Sequence, residues 1–290
     1  MTRYIGLIGY PLKHSFSPDF QQAALDYYGL DIRYEKWETQ AEKLPSVMNR
    51  LRQPQNLGAN VTVPYKEAVL SFIDNVDELA KLVGAANTIV NNGDKLAGFN
   101  TDVYGFLRAL SDDAKFEPAK KRALILGAGG AARAVSFGLL QEKVNYLAIT
   151  NRTQLRAEAL VELLKGYCIA NGLQTEVAVM PWQDLALRKV DCQLIVNCTT
   201  MGMKHSVEVS RPPLATSAIT KDVLVYDIVY NPLETPLLKM AREAGAKTIG
   251  GLPMLVYQGA ASFKLWTGKE APIDIMFAAT KKALLRNRDV

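Results

Sequence analysis

The sequence predicts an α/β protein with two domains, and three observations support this. Short apolar runs alternate with longer amphipathic stretches along most of the chain, which favours mostly parallel sheets covered by helices. In the second half, a glycine-rich turn at Gly127–Ala132 follows an apolar run. The polar stretch Ser111–Arg122 interrupts the alternation between the two halves. We therefore expect a first, mostly parallel α/β domain and a second domain of the Rossmann dinucleotide-binding type, with a cleft between them.

In the first half, the alternation predicts strands and helices in succession. The predicted strands are Tyr4–Ile8, Ile32–Trp37 and Asn60–Val63, followed by a hairpin of Thr88–Val90 and Leu96–Phe99 around the turn signal Asn92-Gly93-Asp94. The predicted helices are Pro18–Tyr28, Leu44–Arg52 and Thr101–Leu110.

The second half continues the pattern beyond the polar stretch. The predicted strands are Ala123–Leu126, Tyr146–Thr150, Val177–Met180, Leu194–Asn197 and Val223–Ile228, and the predicted helices include Leu155–Leu164, Pro236–Ala244, Met254–Trp266 and Ile273–Arg288. We expect one domain to comprise residues 1–110 with the C-terminal helices from about 259 to 290, and the Rossmann domain to comprise residues 111–258.

The composition excludes several classes of protein. Of 290 residues, 49% are hydrophobic and 22% are charged, a balance typical of folded globular domains. The 34 basic and 29 acidic residues give a net charge of +5 without a basic run longer than Lys120–Arg122, so no nucleic-acid surface is expected. No apolar stretch approaches the roughly 20 residues that span a bilayer, and no secretory signal pattern opens the chain.

Three cysteines, Cys168, Cys192 and Cys198, have neither a CxxC spacing nor that of metal ligands. This indicates free thiols in a reducing compartment. We expect a cytoplasmic monomer or homodimer that binds neither nucleic acid nor a membrane, with small molecules as partners.

The glycine-rich turn predicts a nucleotide site. Gly127-x-Gly129-x-x-Ala132 lies between an apolar strand and a helix. In this context the first glycine permits a tight turn, the second lets the backbone approach a pyrophosphate, and the small alanine allows close packing of the helix on the sheet. The helix N-terminus supplies N–H groups and a favourable dipole for the phosphates.

The residues after the second strand of this domain indicate NADP as the cofactor. An NAD site has an acidic residue near this position for the ribose 2′-hydroxyl, and the segment 144–157 contains none. It offers Asn151, Arg152, Thr153 and Arg156 instead, and arginine forks match phosphate oxygens. Thr153 could also cap the following helix, and the two roles are compatible.

An ordered set of segments carries a family resemblance. In sequence order these are Gly9-Tyr-Pro-Leu-Lys-His-Ser15-Phe-Ser17-Pro18, Asn60-Val-Thr62-Val-Pro-Tyr-Lys66, Gly84-Ala-Ala-Asn87-Thr88, Asn100-Thr101-Asp102-Val-Tyr-Gly105, Asn197-Cys-Thr-Thr-Met-Gly202, Asp227-Ile-Val-Tyr230-Asn-Pro-Leu-Glu-Thr235 and Gly250-Gly251-Leu-Pro-Met254-Leu-Val-Tyr-Gln258. Over essentially its whole length the chain resembles the shikimate dehydrogenase family. The resemblance implies NADP-dependent, reversible reduction of 3-dehydroshikimate to shikimate, in the pathway to chorismate and the aromatic amino acids.

The resemblance also implies the roles of individual residues. The acid–base pair is Lys66 and Asp102: an ammonium beside the ring ketone stabilises developing oxyanion charge and donates a proton, and the carboxylate orients it. Further substrate-binding residues are implied at Ser15, Ser17, Thr62, Asn87, Thr101, Tyr230 and Gln258. Those implied for the cofactor are Gly127, Ala128, Gly129, Gly130, Ala131, Asn151, Arg152, Thr153, Arg156, Thr199, Ile228, Gly251 and Met254.

Some of these residues also have structural interpretations. Ser17 before Pro18 has the pattern of a helix N-cap followed by an N1 proline. Asn87 could brace a turn, Gln258 could lie on a helix surface, and Tyr230 could be a partly buried core residue. His14 and His205 are the only histidines, and no metal is expected.

Two other functions fit the same motifs. Quinate differs from shikimate by an added hydroxyl at C1, so a quinate or quinate/shikimate dehydrogenase is a close alternative. A non-catalytic sensor of shikimate-pathway acids on the same scaffold is a more distant one, because it would not need both Lys66 and Asp102.

Overall fold

The computed structural model describes residues 2–186, 191–204 and 206–286. Within these residues the chain forms two compact units. The first unit contains the residues up to Gly105 and those from Leu255 onward, and the second unit is Phe106–Met254. None of the helices in the described residues is long and apolar enough to cross a membrane.

The first unit is built on a six-stranded mixed sheet. Its strands are β1 (Arg3–Gly9), β2 (Ile32–Glu38), β3 (Asn56–Val61), β4 (Asn75–Val76), β5 (Thr88–Asn92) and β6 (Lys95–Phe99). The order in the sheet is β2-β1-β3-β5-β6-β4. Strand β1 runs parallel to β2 and β3, whereas β5 is antiparallel to both β3 and β6.

The second unit is built on a fully parallel sheet. Its strands are β7 (Arg122–Leu126), β8 (Tyr146–Thr150), β9 (Glu176–Val179), β10 (Leu194–Asn197), β11 (Leu224–Asp227) and β12 (Lys247–Ile249). The order β12-β11-β10-β7-β8-β9 is that of the Rossmann fold, with the reversal of strand order between β7 and β10. The predicted α/β fold class, with a mostly parallel first sheet and a second unit of the Rossmann type, is thus confirmed.

Helices connect the strands in both units. They are α1 (Ser17–Tyr27), α2 (Leu44–Leu51), α3 (Glu78–Val83), α4 (Asp102–Asp112), α5 (Gly130–Gln141), α6 (Gln154–Ala170), α7 (Pro236–Glu243), α8 (Leu252–Thr267) and α9 (Ile273–Arg286). In α2 the buried residues Leu44, Met48 and Leu51 are four and three positions apart. This spacing places them on one face of the helix, which packs on the core of the first sheet.

Several details differ from the sequence prediction, among them the helix predicted to end at Leu164, which continues to Ala170. Strand β3 ends at Val61 rather than Val63, because the chain turns at Thr62, whose carbonyl accepts a hydrogen bond from the amide of Tyr65. The short elements β4, α3 and β12 were not predicted. Ser17 is the first residue of α1, and Phe16 occupies the N-cap position, so the N-cap prediction for Ser17 is wrong by one residue. The predicted helix end at Arg288 lies outside the described residues.

A buried carboxylate links the ends of two strands in the second unit. Asp227 is fully buried at the end of β11. Its Oδ2 accepts a hydrogen bond from Thr235 Oγ1 at 2.6 Å, and its Oδ1 accepts from Asn197 Nδ2 at 2.9 Å. Burial raises the pKa of this carboxyl to about 6, although the hydrogen bonds from Thr235, Val229 and Asn197 oppose the shift.

We expect Asp227→Asn to change how stability depends on pH. The pKa of the Asp227 carboxyl is higher in the folded state than in the unfolded state. The folded protein therefore takes up a proton at this carboxyl as pH falls through about 6. The contribution of Asp227 to the free energy of unfolding therefore increases as pH falls and decreases as pH rises through about 6. Between pH 7.5 and 4.5, the unfolding free energy of wild type should rise by about 2 kcal/mol relative to the variant, measured by urea denaturation.

Asp222→Asn is the control, since Asp222 is an exposed carboxylate just before the same strand. If the difference in unfolding free energy between Asp227→Asn and wild type is the same at about pH 7.5 and about pH 4.5, the buried carboxyl does not titrate as described.

Candidate active site

A partly buried ion pair lies at one edge of the first sheet. Lys66 Nζ donates a hydrogen bond to Asp102 Oδ2 at 2.7 Å, and the two side chains are 18% and 5% exposed. The amide of Ala86 donates to the Lys66 carbonyl at 2.8 Å, and Asn100 Oδ1 accepts from the amide of Asp102 at 3.1 Å, where α4 begins. Hydrogen bonds to the backbone therefore fix the positions of both Lys66 and Asp102.

Asn87 joins this pair to two other predicted residues. Its Nδ2 lies within donor distance of Asp102 Oδ1 (3.0 Å), Thr101 Oγ1 (2.8 Å) and Gln258 Oε1 (3.1 Å). Its Oδ1 accepts from the amide of Thr101 at 2.7 Å. Asn87 and Gln258 are both buried, so Gln258 does not lie on a helix surface. The structure thus brings together five predicted residues: Lys66, Asn87, Thr101, Asp102 and Gln258.

The strand directions explain why these residues meet. Lys66 follows the carboxyl end of β3, and Asn60 of β3 pairs with Thr88 at the start of β5. Thr88 in turn pairs with Phe99 at the end of β6. Antiparallel pairing therefore places the end of β3, the start of β5 and the end of β6 at the same edge of the sheet.

A second buried polar cluster, which the sequence motifs did not predict, is hydrogen-bonded to Thr101 of this group. Ser262 Oγ lies 2.7 Å from Thr88 Oγ1 and 3.1 Å from Thr101 Oγ1, and it accepts from Asn60 Nδ2 at 3.1 Å. Ser262 is fully buried. It lies four residues after Gln258 in α8, and this helical spacing is the signal that could have identified it.

Ser15 and Ser17, which the resemblance assigns to the substrate carboxylate, lie after β1, and Thr62, which it assigns to the ring hydroxyls, lies after the neighbouring strand β3. Ser15 Oγ donates to Ser17 Oγ at 3.3 Å and accepts from the Ser17 amide, also at 3.3 Å. Thr62 follows β3 directly, and its amide donates to the Ile8 carbonyl of β1 at 2.9 Å. Because β1 and β3 are parallel, the segments that carry these residues leave the sheet at the same edge as the Lys66 segment.

The glycine-rich turn of the second unit has the geometry of a phosphate loop. Gly127 has φ of +110°, and a Cβ there would lie 3.1 Å from the Cys198 carbonyl oxygen, so another residue would be strained. A Cβ on Gly129 would meet no atom within 4 Å, so the backbone faces open space. Helix α5 follows without a side-chain cap on its first N–H groups. With Ala128, Gly130 and Ala131, this turn fits a pyrophosphate.

The residues predicted for a 2′-phosphate follow the end of β8. Arg152, Thr153 and Arg156 are exposed, and Asn151 is half-buried. Thr153 is the N-cap residue of α6 but makes no capping hydrogen bond with its side chain, so its hydroxyl is not used in that way. Arg152 Nη1 donates to Glu208 Oε2 at 2.8 Å.

A cavity of about 440 Å³ adjoins this segment. Its lining combines two arginines, a glutamate and a glutamine with apolar side chains: Arg152, Trp182, Gln183, Leu185, Met201, Glu208, Arg211, Pro212, Pro213, Leu214 and Ala215. A mostly apolar wall with an arginine at its rim suits a flat heterocycle attached to an anionic group.

The other predicted residues of the second unit follow β10, β11 and β12. Thr199 Oγ1 donates to Asn197 Oδ1 at 2.7 Å. A Cβ on Gly251 would lie 2.0 Å from the Ile228 carbonyl oxygen, so these two residues require close backbone contact. Tyr230 is half-buried and Met254 is buried. Since all strands of this sheet are parallel, Gly127, Asn151, Thr199, Ile228 and Gly251 share its carboxyl edge.

Within the described residues, no group of three or more His, Cys, Asp or Glu side chains is arranged to hold a metal ion. His14 is half-buried, and His205 lies outside the described residues.

Three family models match successive parts of the chain. The shikimate dehydrogenase substrate binding domain matches residues 7–89, shikimate / quinate 5-dehydrogenase matches residues 111–200, and the shikimate 5′-dehydrogenase C-terminal domain matches residues 251–279. Together they include both the Lys66 segment and the glycine-rich turn.

Comparisons with individual proteins agree with the family models. Shikimate dehydrogenase (NADP(+)) of Moorella thermoacetica is 44% identical over 98% of this chain and 94% of its own length. The crystal structure of shikimate 5-dehydrogenase from Thermus thermophilus with NADP(H) and shikimate is 37% identical, with a TM-score of 0.84 over 98% of this chain and 100% of that one. Quinate dehydrogenase of Corynebacterium glutamicum, solved with NAD, is 31% identical, with a TM-score of 0.85 over 97% and 99%.

With relatives this similar over nearly its entire length, and with the ordered motifs folded around Lys66–Asp102 and Gly127–Gly129, the chain belongs to the shikimate dehydrogenase family.

Proposed function

We propose that this protein catalyses the NADP-dependent, reversible reduction of 3-dehydroshikimate to shikimate, with Lys66 and Asp102 as the acid–base pair. The observation that carries the proposal is the buried Lys66–Asp102 contact of 2.7 Å, surrounded by Asn87, Thr101 and Gln258. A surface ion pair would not be enclosed by amide and hydroxyl groups. Relatives named as NADP-dependent shikimate dehydrogenases support the choice of substrate and cofactor.

The pair supplies the proton chemistry of the reaction. When bound, the nicotinamide supplies or accepts the hydride. In the direction of reduction, the Lys66 ammonium donates a proton to the ring oxygen as negative charge develops there. Asp102 keeps Lys66 oriented through the contact at Oδ2, while Asn87 holds Oδ1 at 3.0 Å. In oxidation, the pair receives the hydroxyl proton, and the two residues act as one coupled unit.

The hydroxyl and amide groups of the first unit suit a polyhydroxylated acid. Ser15 and Ser17 donate to the substrate carboxylate, and Thr62, Asn87, Thr101 and Gln258 bind ring hydroxyls, because each of these groups can donate hydrogen bonds. Support comes from the hydrogen bonds that join Asn87 to Thr101 and Gln258, and from the strand pairings that bring the ends of β1, β3 and β6 to one edge of the sheet. We also propose that Tyr230 of the second unit binds the substrate, because it lies in the family motif Asp227–Thr235.

The second unit binds the cofactor through the carboxyl edge of its sheet. The backbone of 127–131 and the N-terminus of α5 hold the pyrophosphate. Asn151, Arg152, Thr153 and Arg156 bind the 2′-phosphate, and the adenine enters the adjacent cavity lined by Arg152 and Leu214. Thr199, Ile228, Gly251 and Met254 contact the nicotinamide half.

The compartment and pathway follow from this reaction. Shikimate formation belongs to the route to chorismate and aromatic amino acids. None of the three cysteines, which all lie within the described residues, forms a disulfide, and this supports an enzyme of the cytoplasm.

Quinate oxidation is the second candidate function. Supporting it are the match to the shikimate / quinate 5-dehydrogenase model and the similarity to a quinate dehydrogenase. The substrates differ at C1, beside the carboxylate that Ser15 and Ser17 are proposed to bind. Turnover of each acid with NADP and with NAD decides between them: a kcat/KM higher for quinate would reject shikimate as the main substrate.

Replacing Lys66 tests the acid–base role. In Lys66→Ala we expect kcat for shikimate oxidation, followed as NADPH absorbance at 340 nm, to fall about 10²-fold or more, because proton transfer loses its donor and acceptor. Calorimetry should still detect shikimate binding, since the other polar groups remain. Lys81→Ala is the control, because Lys81 is an exposed lysine of α3 in the same unit. A folded Lys66→Ala enzyme with normal kcat would refute the assignment.

Replacing Arg152 tests the cofactor assignment. Arg152→Ala should raise KM for NADP about 10- to 100-fold, the effect of losing a charge-assisted hydrogen bond to phosphate. KM for NAD should change much less, because NAD has no 2′-phosphate. Arg242→Ala is the matched control, since Arg242 is another exposed arginine of this unit in an ion pair. Equal changes in both KM values would place the 2′-phosphate elsewhere.

A further inference from the structure

The loop after β10 carries an acidic residue that contacts the proposed phosphate site. Glu208 Oε2 accepts from Arg152 Nη1 at 2.8 Å, and the side chains are 24% and 60% exposed. Both line the same cavity of about 440 Å³. The sequence motifs did not single out Glu208, because it lies 56 residues from Arg152.

The backbone fixes where Glu208 lies. Its carbonyl accepts hydrogen bonds from the amides of Gly202 (3.1 Å) and Arg211 (3.2 Å), and the amide of Lys204 donates to the Asn231 carbonyl at 2.7 Å. The loop is therefore closed on itself and tied to the chain after β11. These bonds restrain the backbone position from which the Glu208 side chain reaches Arg152.

We propose that Glu208 is a specificity-determining residue for the cofactor. Its carboxylate binds the Arg152 guanidinium, which a 2′-phosphate needs, and so weakens the preference of the enzyme for NADP over NAD. The inference rests on the proposed binding of NADP by Arg152. A 2′-phosphate carries up to two negative charges, so it must displace or share the contact of Glu208 with Arg152 and meets repulsion from the carboxylate. NAD presents a neutral 2′-hydroxyl, which can donate a hydrogen bond to that carboxylate.

The expected consequence is a gain of phosphate affinity when the charge is removed. In Glu208→Gln, we expect the Kd for 2′,5′-ADP to fall about three- to tenfold, the scale of an exposed ion pair together with a relieved repulsion. The Kd for 5′-ADP should stay the same or rise. Titration calorimetry measures both without turnover, so the result does not depend on which acid the enzyme oxidises. In kinetics, the ratio of kcat/KM for NADP to that for NAD should rise by the same factor.

A matched control separates this effect from a change in net charge. Glu234→Gln removes one negative charge and breaks an arginine contact of 2.6 Å in the same unit, and it should leave both Kd values unchanged. The gain in Glu208→Gln should also shrink between about 0.05 and 0.5 M salt, because salt screens exposed charges.

The double variant Arg152→Ala/Glu208→Gln tests whether Glu208 acts through Arg152. We expect Glu208→Gln to tighten 2′,5′-ADP binding by a smaller factor in the Arg152→Ala background than in wild type, since without the guanidinium only the direct repulsion between carboxylate and phosphate is relieved. If Arg152→Ala alone weakens 2′,5′-ADP but Glu208→Gln binds it no more tightly than wild type, the inference about Glu208 is wrong while the phosphate site stands. If Arg152→Ala leaves 2′,5′-ADP binding unchanged, the proposed phosphate site itself fails, and the inference fails with it.

Discussion

The buried carboxylate of Asp102 imposes the main constraint on the first unit. A charge that is only 5% exposed destabilises the fold unless it is paired and hydrogen-bonded. Lys66 supplies the opposite charge at Oδ2, and Asn87 donates a hydrogen bond to Oδ1. Asn87 is itself buried, so its amide requires the acceptors of Thr101 and Gln258. One buried charge therefore fixes side chains from the sheet and from α8, and stability and preorganisation for chemistry have the same origin.

The second unit meets a different requirement, which is to leave polar backbone groups available. Gly127 turns the chain sharply, Gly129 faces open space, and α5 begins without a side-chain cap. Its structural carboxylate, Asp227, is instead fully enclosed by hydroxyl and amide donors. The backbone groups left open in the glycine-rich turn thus lie at the carboxyl edge of the sheet, where the strand order reverses, whereas the buried carboxylate of Asp227 is satisfied internally.

The sequence predicted most long elements, because apolar periodicity is strong in them, and family motifs identified the residues around Asp102. It missed β4 and β12, which have two and three residues, because so short a run has no measurable period. It placed β3 too late, since Leu57-Gly58-Ala59 lacks the branched side chains typical of strands. Ser262 and Glu208 were missed because their roles depend on contacts with distant residues, which local patterns do not contain.

The first unit is discontinuous in the sequence, and this affects how the protein folds during synthesis. Domains of a nascent chain usually fold in order from the N-terminus. Here, however, Gln258 and Ser262 are translated after the whole second unit has been made. Until then Asn87 and Thr88 lack these partners, and α1 lacks α9, whose Arg286 contacts Asp19. All residues of the second unit are therefore synthesised before the polar cluster around Asp102 receives Gln258 and Ser262.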